Sequence, residues 1–275
     1  MCKVFYWRVS VALSCTLMLF LSSVSTLFAQ SHQVIGPKAY YLALGDSLAF
    51  GYQPDANFVH GYVNDFSANL KAHGGKDTGN LACPGETSVT MINGGCPYPL
   101  LRKYPYIGSQ LNAALKYLSA HRGKVSPVTL DIGANDIIPA IDLKTCSIDT
   151  TAFNASLDTL DTNLRQTILP QLRSALTING QLASDFFLMN YYNPYANQCP
   201  ATESYVQTLN SHLAADLGSA QFGSMVDVFS AFDSGHSPNP HLCTFTWMCS
   251  AFHDIHAKNG GYSVIASAFE QVAGY

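Results

Sequence analysis

Ser47, in the run Leu44-Gly45-Asp46-Ser47-Leu48, stands where an apolar stretch meets a glycine, a position that can present a hydroxyl for nucleophilic chemistry. A serine hydroxyl is a poor nucleophile at neutral pH and needs an adjacent base, and imidazole, with an ordinary pKa of about 6.5, suits that task. Nine histidines are present. His32 lies near the terminus, and His60, His73, His121 and His212 fall in or beside helical patterns, where solvated or core roles suffice. Phe252-His253-Asp254-Ile255-His256 instead sets a carboxylate beside two imidazoles, just ahead of the last helical pattern. His256 is read as the base and Asp254 as the acid that holds its tautomer and stabilises the imidazolium. A backbone carbonyl is the alternative orienter.

Attack by a serine on an ester carbonyl creates an oxyanion, and each preorganised donor aimed at it is worth about 2.7 to 4 kcal/mol. Three donors are available: the Ser47 amide after a strand end, Gly85 in Ala82-Cys83-Pro84-Gly85-Glu86-Thr87, and the side-chain amide of Asn135 in Gly133-Ala134-Asn135-Asp136. Each has a plainer use by itself, as a helix cap, a positive-φ glycine or a turn residue.

Strand ends must bring these groups together. Residues 39–45 and 126–133 are apolar runs that end at a glycine, as strands buried in a parallel sheet do, and 78–82, 185–191 and 224–229 are shorter candidates. Between them, Phe153, Leu157, Leu160, Leu164, Ile168, Leu172 and Leu176 recur at helical spacing, with Pro170 expected to kink that helix. Weaker helical patterns run over Val59 to Leu70, Leu111 to Leu118, Tyr205 to Leu217 and Gly261 to Val272. Alternating strands and helices predict a layered α/β domain with a mostly parallel sheet, whose ligands sit at the strand carboxyl ends. Ser47 and Asn135 then share one rim.

Taken together and in this order, Gly45-Asp46-Ser47, Gly85, Gly133-Ala134-Asn135-Asp136 and Asp254-Ile255-His256 resemble the SGNH hydrolases, also called GDSL esterases and lipases. The resemblance runs from Tyr41 to Tyr262. It implies a flavodoxin-like α/β/α sandwich on a five-stranded sheet, with no cofactor and no metal. It also implies an ester hydrolase with Ser47 as nucleophile, His256 as base, and an oxyanion hole from Ser47, Gly85 and Asn135. Asp46 and Asp136 become loop-fixing acceptors, and His253 a solvated or spare donor. Family members usually carry the acid three residues before the base, where this chain has His253; Asp254 stands two before it, a spacing that keeps both side chains on one side of an extended segment. The nucleophile elbow Gly-x-Ser-x-Gly of the α/β-hydrolases is missing, since position 49 is alanine.

The rest of the sequence bounds location and partners. Residues 1–30 read as a secretory signal peptide, with Lys3 and Arg8 ahead of an apolar run at 9–21 and cleavage between 25 and 32. Cys15 after Ala12-Leu13-Ser14 offers a lipoprotein alternative, and an uncleaved anchor is another. Residues 31–275 form the hydrolase domain, about 245 residues with no second apolar run near the ~20 that a spanning helix needs. The mature charge, 12 basic against 18 acidic residues, leaves no basic cluster for nucleic acid. Six cysteines remain, Cys83, Cys96, Cys146, Cys199, Cys243 and Cys249, without the two-residue gaps of zinc knuckles. They predict three disulfides in sequential pairs, the first and third closing short loops. Phe50, Tyr52, Tyr98, Tyr104, Tyr106, Phe245 and Trp247 are candidates for a rim that takes an acyl chain or a sugar face. The expectation is thus a secreted monomer acting on small-molecule, lipid or acylated-carbohydrate esters. A carbohydrate acetyl esterase and a non-catalytic secreted binding protein are the alternatives.

Overall fold

The computed structural model describes residues 34–275. The leader expected over residues 1–30, and His32, lie outside the described residues. From β1 (Tyr40–Gly45) the chain passes through α1 (Ser47–Phe50) and α2 (Tyr62–Ala72) to β2 (Asp77–Asn80), then α3 (Ser88–Asn93) and α4 (Gln110–Ala120) lead to β3 (Val125–Asp131). Next come α5 (Ala134–Ile137), a hairpin of β4 (Ile141–Asp142) and β5 (Ser147–Ile148), α6 (Thr150–Asn163) and α7 (Leu169–Leu176). A second hairpin, β6 (Thr177–Ile178) and β7 (Gln181–Leu182), precedes β8 (Phe186–Met189), α8 (Thr202–Ala220) and β9 (Ser224–Val226). The chain closes with α9 (Val228–Ala231), α10 (Leu242–Phe245) and α11 (Asn259–Ala273).

β1, β2, β3, β8 and β9 form one sheet in the order β2-β1-β3-β8-β9, with every pair parallel. Helices α2, α9 and α11 pack together on one face and α4, α6, α7 and α8 on the other. Strands covered on both faces need no polar side, which is why all seven residues of β3 are buried and why β1 reads as a continuous apolar run. Tyr62 of α2 stacks on Phe269 of α11 at 4.9 Å between ring centroids. The five-stranded α/β/α reading therefore holds. Because β1 lies between β2 and β3, the chain leaves it toward one edge and later returns on its other side. The loops after β1 and β3 diverge there, and a crevice opens at the strand carboxyl ends.

Three boundaries differ from the sequence pattern. The helix expected from Val59 starts at Tyr62, because extended Gly61 lies against Gly51, with no room for a Cβ. The strand expected over 224–229 stops at Val226, because the Asp227 carboxylate caps α9 by accepting the Ser230 amide. Pro170 does not kink a single helix. It sits in the first turn of α7, where an amide is dispensable, and Leu164–Ile168 widens into a π turn just before it. All seven apolar residues from Phe153 to Leu176 stay buried across that turn.

The six cysteines pair sequentially, Cys83 with Cys96, Cys146 with Cys199, and Cys243 with Cys249. Among the described residues, no helix is long and apolar enough to cross a membrane.

Candidate active site

The nucleophile turn is built by three consecutive residues. Gly45 ends β1 with φ +136°, and a Cβ there would overlap the carbonyl and carboxyl oxygens of Asp131 on β3, so only glycine fits. Asp46, 2% exposed, caps α1 by accepting the Leu48 amide at 2.8 Å, and its other oxygen accepts the Tyr191 hydroxyl at 3.0 Å. Ser47 is then the first residue of α1, raised at the end of the strand. Burial pushes the Asp46 carboxyl up to about 6, against the pull of those two hydrogen bonds.

The candidate base, His256, arrives from a long irregular segment ahead of α11. Thr246 bridges Ala257, the Trp247 amide donates to the His256 carbonyl at 3.0 Å, and the Lys258 amide donates to the Phe245 carbonyl at 2.8 Å. Cys243–Cys249 closes the loop that carries these partners. The Tyr192 hydroxyl donates to the Ile255 carbonyl at 2.7 Å, and the Tyr52 ring lies 4.6 Å from the His256 ring.

His256 Nε2 stands 2.8 Å from Ser47 Oγ, and His256 Nδ1 2.6 Å from Asp254 Oδ1. The same Asp254 oxygen accepts the His256 backbone amide at 2.9 Å. The aspartate thus folds back on the residue two positions on, as in an Asx turn, where the sequence pattern suggested a plain extended segment. This turn lets the shorter acid-to-base spacing reach the ring. Nδ1–H faces the carboxylate, which leaves the Nε2 lone pair for the serine proton. Burial opposes ionisation of Asp254, but the bonds and charge of His256 outweigh it and hold the carboxyl below its usual range. His253 is exposed and has a left-handed φ of +45°; it is not a lining residue of the site.

The candidate oxyanion donors lie on neighbouring loops. The Cys83 amide donates to the Gly45 carbonyl at 3.1 Å, which draws the Gly85 turn against the end of β1. Asn135 Nδ2 donates to the Glu86 carbonyl at 3.0 Å, and Asn135, Ser47 and His256 line one cavity. Asp136 accepts the Ser88 hydroxyl at 2.6 Å and the Ser88 amide at 3.0 Å, fastening the loop after β3 to the start of α3. Its carboxyl is pushed up to about 6 by burial, against those Ser88 bonds.

One supporting residue went unseen in the sequence. Gln110, 1% exposed, accepts the Gly45 amide at 2.6 Å and donates both to the Gly45 carbonyl at 2.9 Å and to Glu86 Oε2 at 2.8 Å. It locks the nucleophile turn to the Gly85-Glu86 loop. The aromatic residues nominated for the rim do not line the cavity: Phe50 is core, Tyr52 packs between Phe58 and the His256 ring, and the walls come instead from Tyr191, Tyr192, Tyr195 and aliphatic residues of 137–141 and α8. Of the other histidines, His212 pairs with Asp161 at 2.9 Å and His121 packs on Tyr40, consistent with structural roles.

Comparison with known proteins fits this arrangement. The chain resembles an acetylxylan esterase from Geobacillus stearothermophilus, at 18% identity over 88% of this chain and 97% of that one, with a TM-score of 0.58. It also resembles a lipase from a goat rumen metagenome, at 17% identity over 86% and 98% of the two chains, with a TM-score of 0.60. At such identities the likeness speaks for the fold. No curated protein matches by sequence. The model of the GDSL-like lipase/acylhydrolase family, however, matches residues 43–264, a span that begins in β1 just before Ser47 and ends beyond His256. By that match over most of its length, the chain belongs to the GDSL-like lipase/acylhydrolase family.

Proposed function

We propose that the protein is a secreted carboxylic ester hydrolase that works through an acyl-enzyme on Ser47. The observation that carries this reading is the unbroken chain of short hydrogen bonds from Ser47 Oγ through the His256 ring to Asp254. Ser47 Oγ passes its proton to His256 Nε2 as it attacks the ester carbonyl. The amides of Ser47 and Gly85 and the Asn135 side chain receive the oxyanion. His256 returns the proton to the departing alcohol, leaving an acyl group on Ser47. Water, deprotonated by the same ring, then releases the acid, so the cycle balances with ester and water alone. Asp254 keeps Nδ1 protonated and offsets the imidazolium charge. Three disulfides, which persist in oxidising compartments, support the secreted location.

The test is turnover of a chromogenic ester series by the native chain and by Ser47→Ala, with a serine-directed phosphonate as a covalent probe. Native turnover that falls about 10⁶-fold in the variant is expected, together with phosphonate labelling at Ser47. A variant that keeps its turnover overturns the reading.

A further inference from the structure

Beside Ser47, the loops after β3 and β8 enclose a cavity of about 60 Å³. Its walls are Ile137 and Ile138 near α5, Ile141 of β4, Tyr195, and Val206 and Leu209 on one face of α8. Most polar groups at its surface are already engaged, the Tyr195 hydroxyl being the one phenol of the lining with no hydrogen bond to a described protein group. The Tyr191 hydroxyl is spent on Asp46 and the Tyr192 hydroxyl on the Ile255 carbonyl, while Ser47, Asn135 and His256 belong to the reaction. A sugar placed here would bury most of its hydroxyls against aliphatic walls with only the Tyr195 hydroxyl to meet them, which is costly, whereas an alkyl chain needs no partner.

Which half of the ester enters follows from the reaction order. The alcohol must leave His256 and be replaced by water, so its side has to open to solvent. The acyl group stays on Ser47 through both steps, and a recessed apolar cavity suits the part that stays. Its size bounds the length: a cavity of about 60 Å³ has room for a few carbons beyond the carbonyl and not for a long chain.

The size is also held in place. Cys146, between β4 and β5, is bonded to Cys199 in the loop after β8, and Gln198 Nε2 donates to the Leu143 carbonyl at 3.2 Å. Two of the walls, the Ile141 hairpin and the Tyr195 loop, are therefore tied to each other.

We infer that this cavity is the acyl site and that it selects esters of short-chain fatty acids, butanoyl to hexanoyl, over acetyl esters and over long-chain lipids. The inference rests on the ester-hydrolase reading. The experiment measures kcat/KM on full-length protein for esters of one alcohol, from acetyl to dodecanoyl, for the native chain, Val206→Phe and Val206→Ala. The native optimum is expected between butanoyl and hexanoyl. Val206→Phe should move it to acetyl or propanoyl, lowering hexanoyl relative to acetyl turnover tenfold or more, and Val206→Ala should move it toward octanoyl. Opposite shifts from one position cannot come from misfolding, and if the phenylalanine variant fails to fold, the alanine variant decides alone. No turnover of any ester by the native chain overturns the ester-hydrolase reading itself. Turnover with an acetyl optimum, a flat profile, or an optimum that neither variant moves overturns the acyl-site assignment only.

Discussion

Two aspartates stand on the same rim and are pulled in opposite directions. Asp46, buried in the turn under Ser47, is pushed up to about 6, whereas Asp254, partly open beside His256, is held below the usual carboxylate range. Burial acts upward on both. Burial is complete for Asp46 and partial for Asp254. The bonded partners differ too: Asp46 accepts from a backbone amide and a phenol, both neutral, with the His256 charge acting only from a distance, whereas Asp254 bonds the imidazole directly. The nucleophile turn is thus fixed by neutral geometry and the base loop by charge. The same contrast appears in their supports. Ser47 follows a buried strand and is braced by Gly45, Gln110 and Asp46, while His256 hangs on a loop pinned by one disulfide, one bridge and a few backbone bonds.

If charge fixes the base loop, Asp254→Asn is the largest blow short of removing Ser47 or His256. An amide oxygen could still accept the His256 amide, so the turn should survive, but the tautomer lock and the imidazolium partner are lost. Turnover should fall about 10⁴-fold with the thermal midpoint nearly unchanged. Unchanged turnover would mean that a backbone carbonyl orients His256.

Asn135→Ala comes next, on the nucleophile side. Removing one of the three oxyanion donors should lower kcat about 10²- to 10³-fold with little change in KM. It also deletes the bond to the Glu86 carbonyl, so a rise in KM without loss of kcat would reassign Asn135 to loop positioning.

How far the sequence reveals these two halves follows from how local each one is. Residues 39–47 are legible because a strand covered on both faces leaves a continuous apolar run and its end demands glycine. Asp254 and His256 are legible because two titratable types cluster with no structural need for them. Gln110 gave no signal: its task, bridging Gly45 to Glu86, exists only once a residue 65 positions away is folded onto it. The cavity walls give no signal for a similar reason, since Ile141, Tyr195 and Val206 come from three separate segments, while of the aromatics nearest the motif in sequence Phe50 is core and Tyr52 packs on His256 without lining the cavity. The kink that Pro170 predicts is replaced by a π turn at Leu164–Ile168 just before it, because the pattern of buried leucines cannot show how one turn widens around them.

Stability should register the contrast through pH. Asp136, like Asp46, is pushed up to about 6 from a usual 3.8, so the folded chain binds that proton more tightly than the unfolded chain does. Its contribution is fully present below about pH 4 and is lost as the pH rises through 6. For Asp254, held low, the sign reverses: stability is present above its unfolded value and is lost only as the pH falls below it. Thermal melts between pH 4 and 7 should show the midpoint falling with pH on account of Asp136, and Asp136→Asn should flatten that slope. The expected share is on the order of 2 kcal/mol, about 4–8 °C. A slope unaltered in the variant would place the titration in other buried carboxyls.

The smallest expected effect is the sharpest test of neutral geometry under Ser47. In Asp46→Asn the side-chain oxygen can still accept the Leu48 amide, and the Tyr191 hydroxyl can rotate to accept from the new amide group. Only the charge is removed. If Asp46 serves as a cap, turnover should stay within about tenfold of native, the scale of one weakened neutral hydrogen bond. The pH dependence that a carboxyl titrating near 6 imposes on the turn should also disappear. A loss approaching that of Asp254→Asn would show instead that the Asp46 charge acts on the imidazolium from beneath. The two aspartates would then share one electrostatic task, and the division between a geometric half and a charged half of the site would not stand.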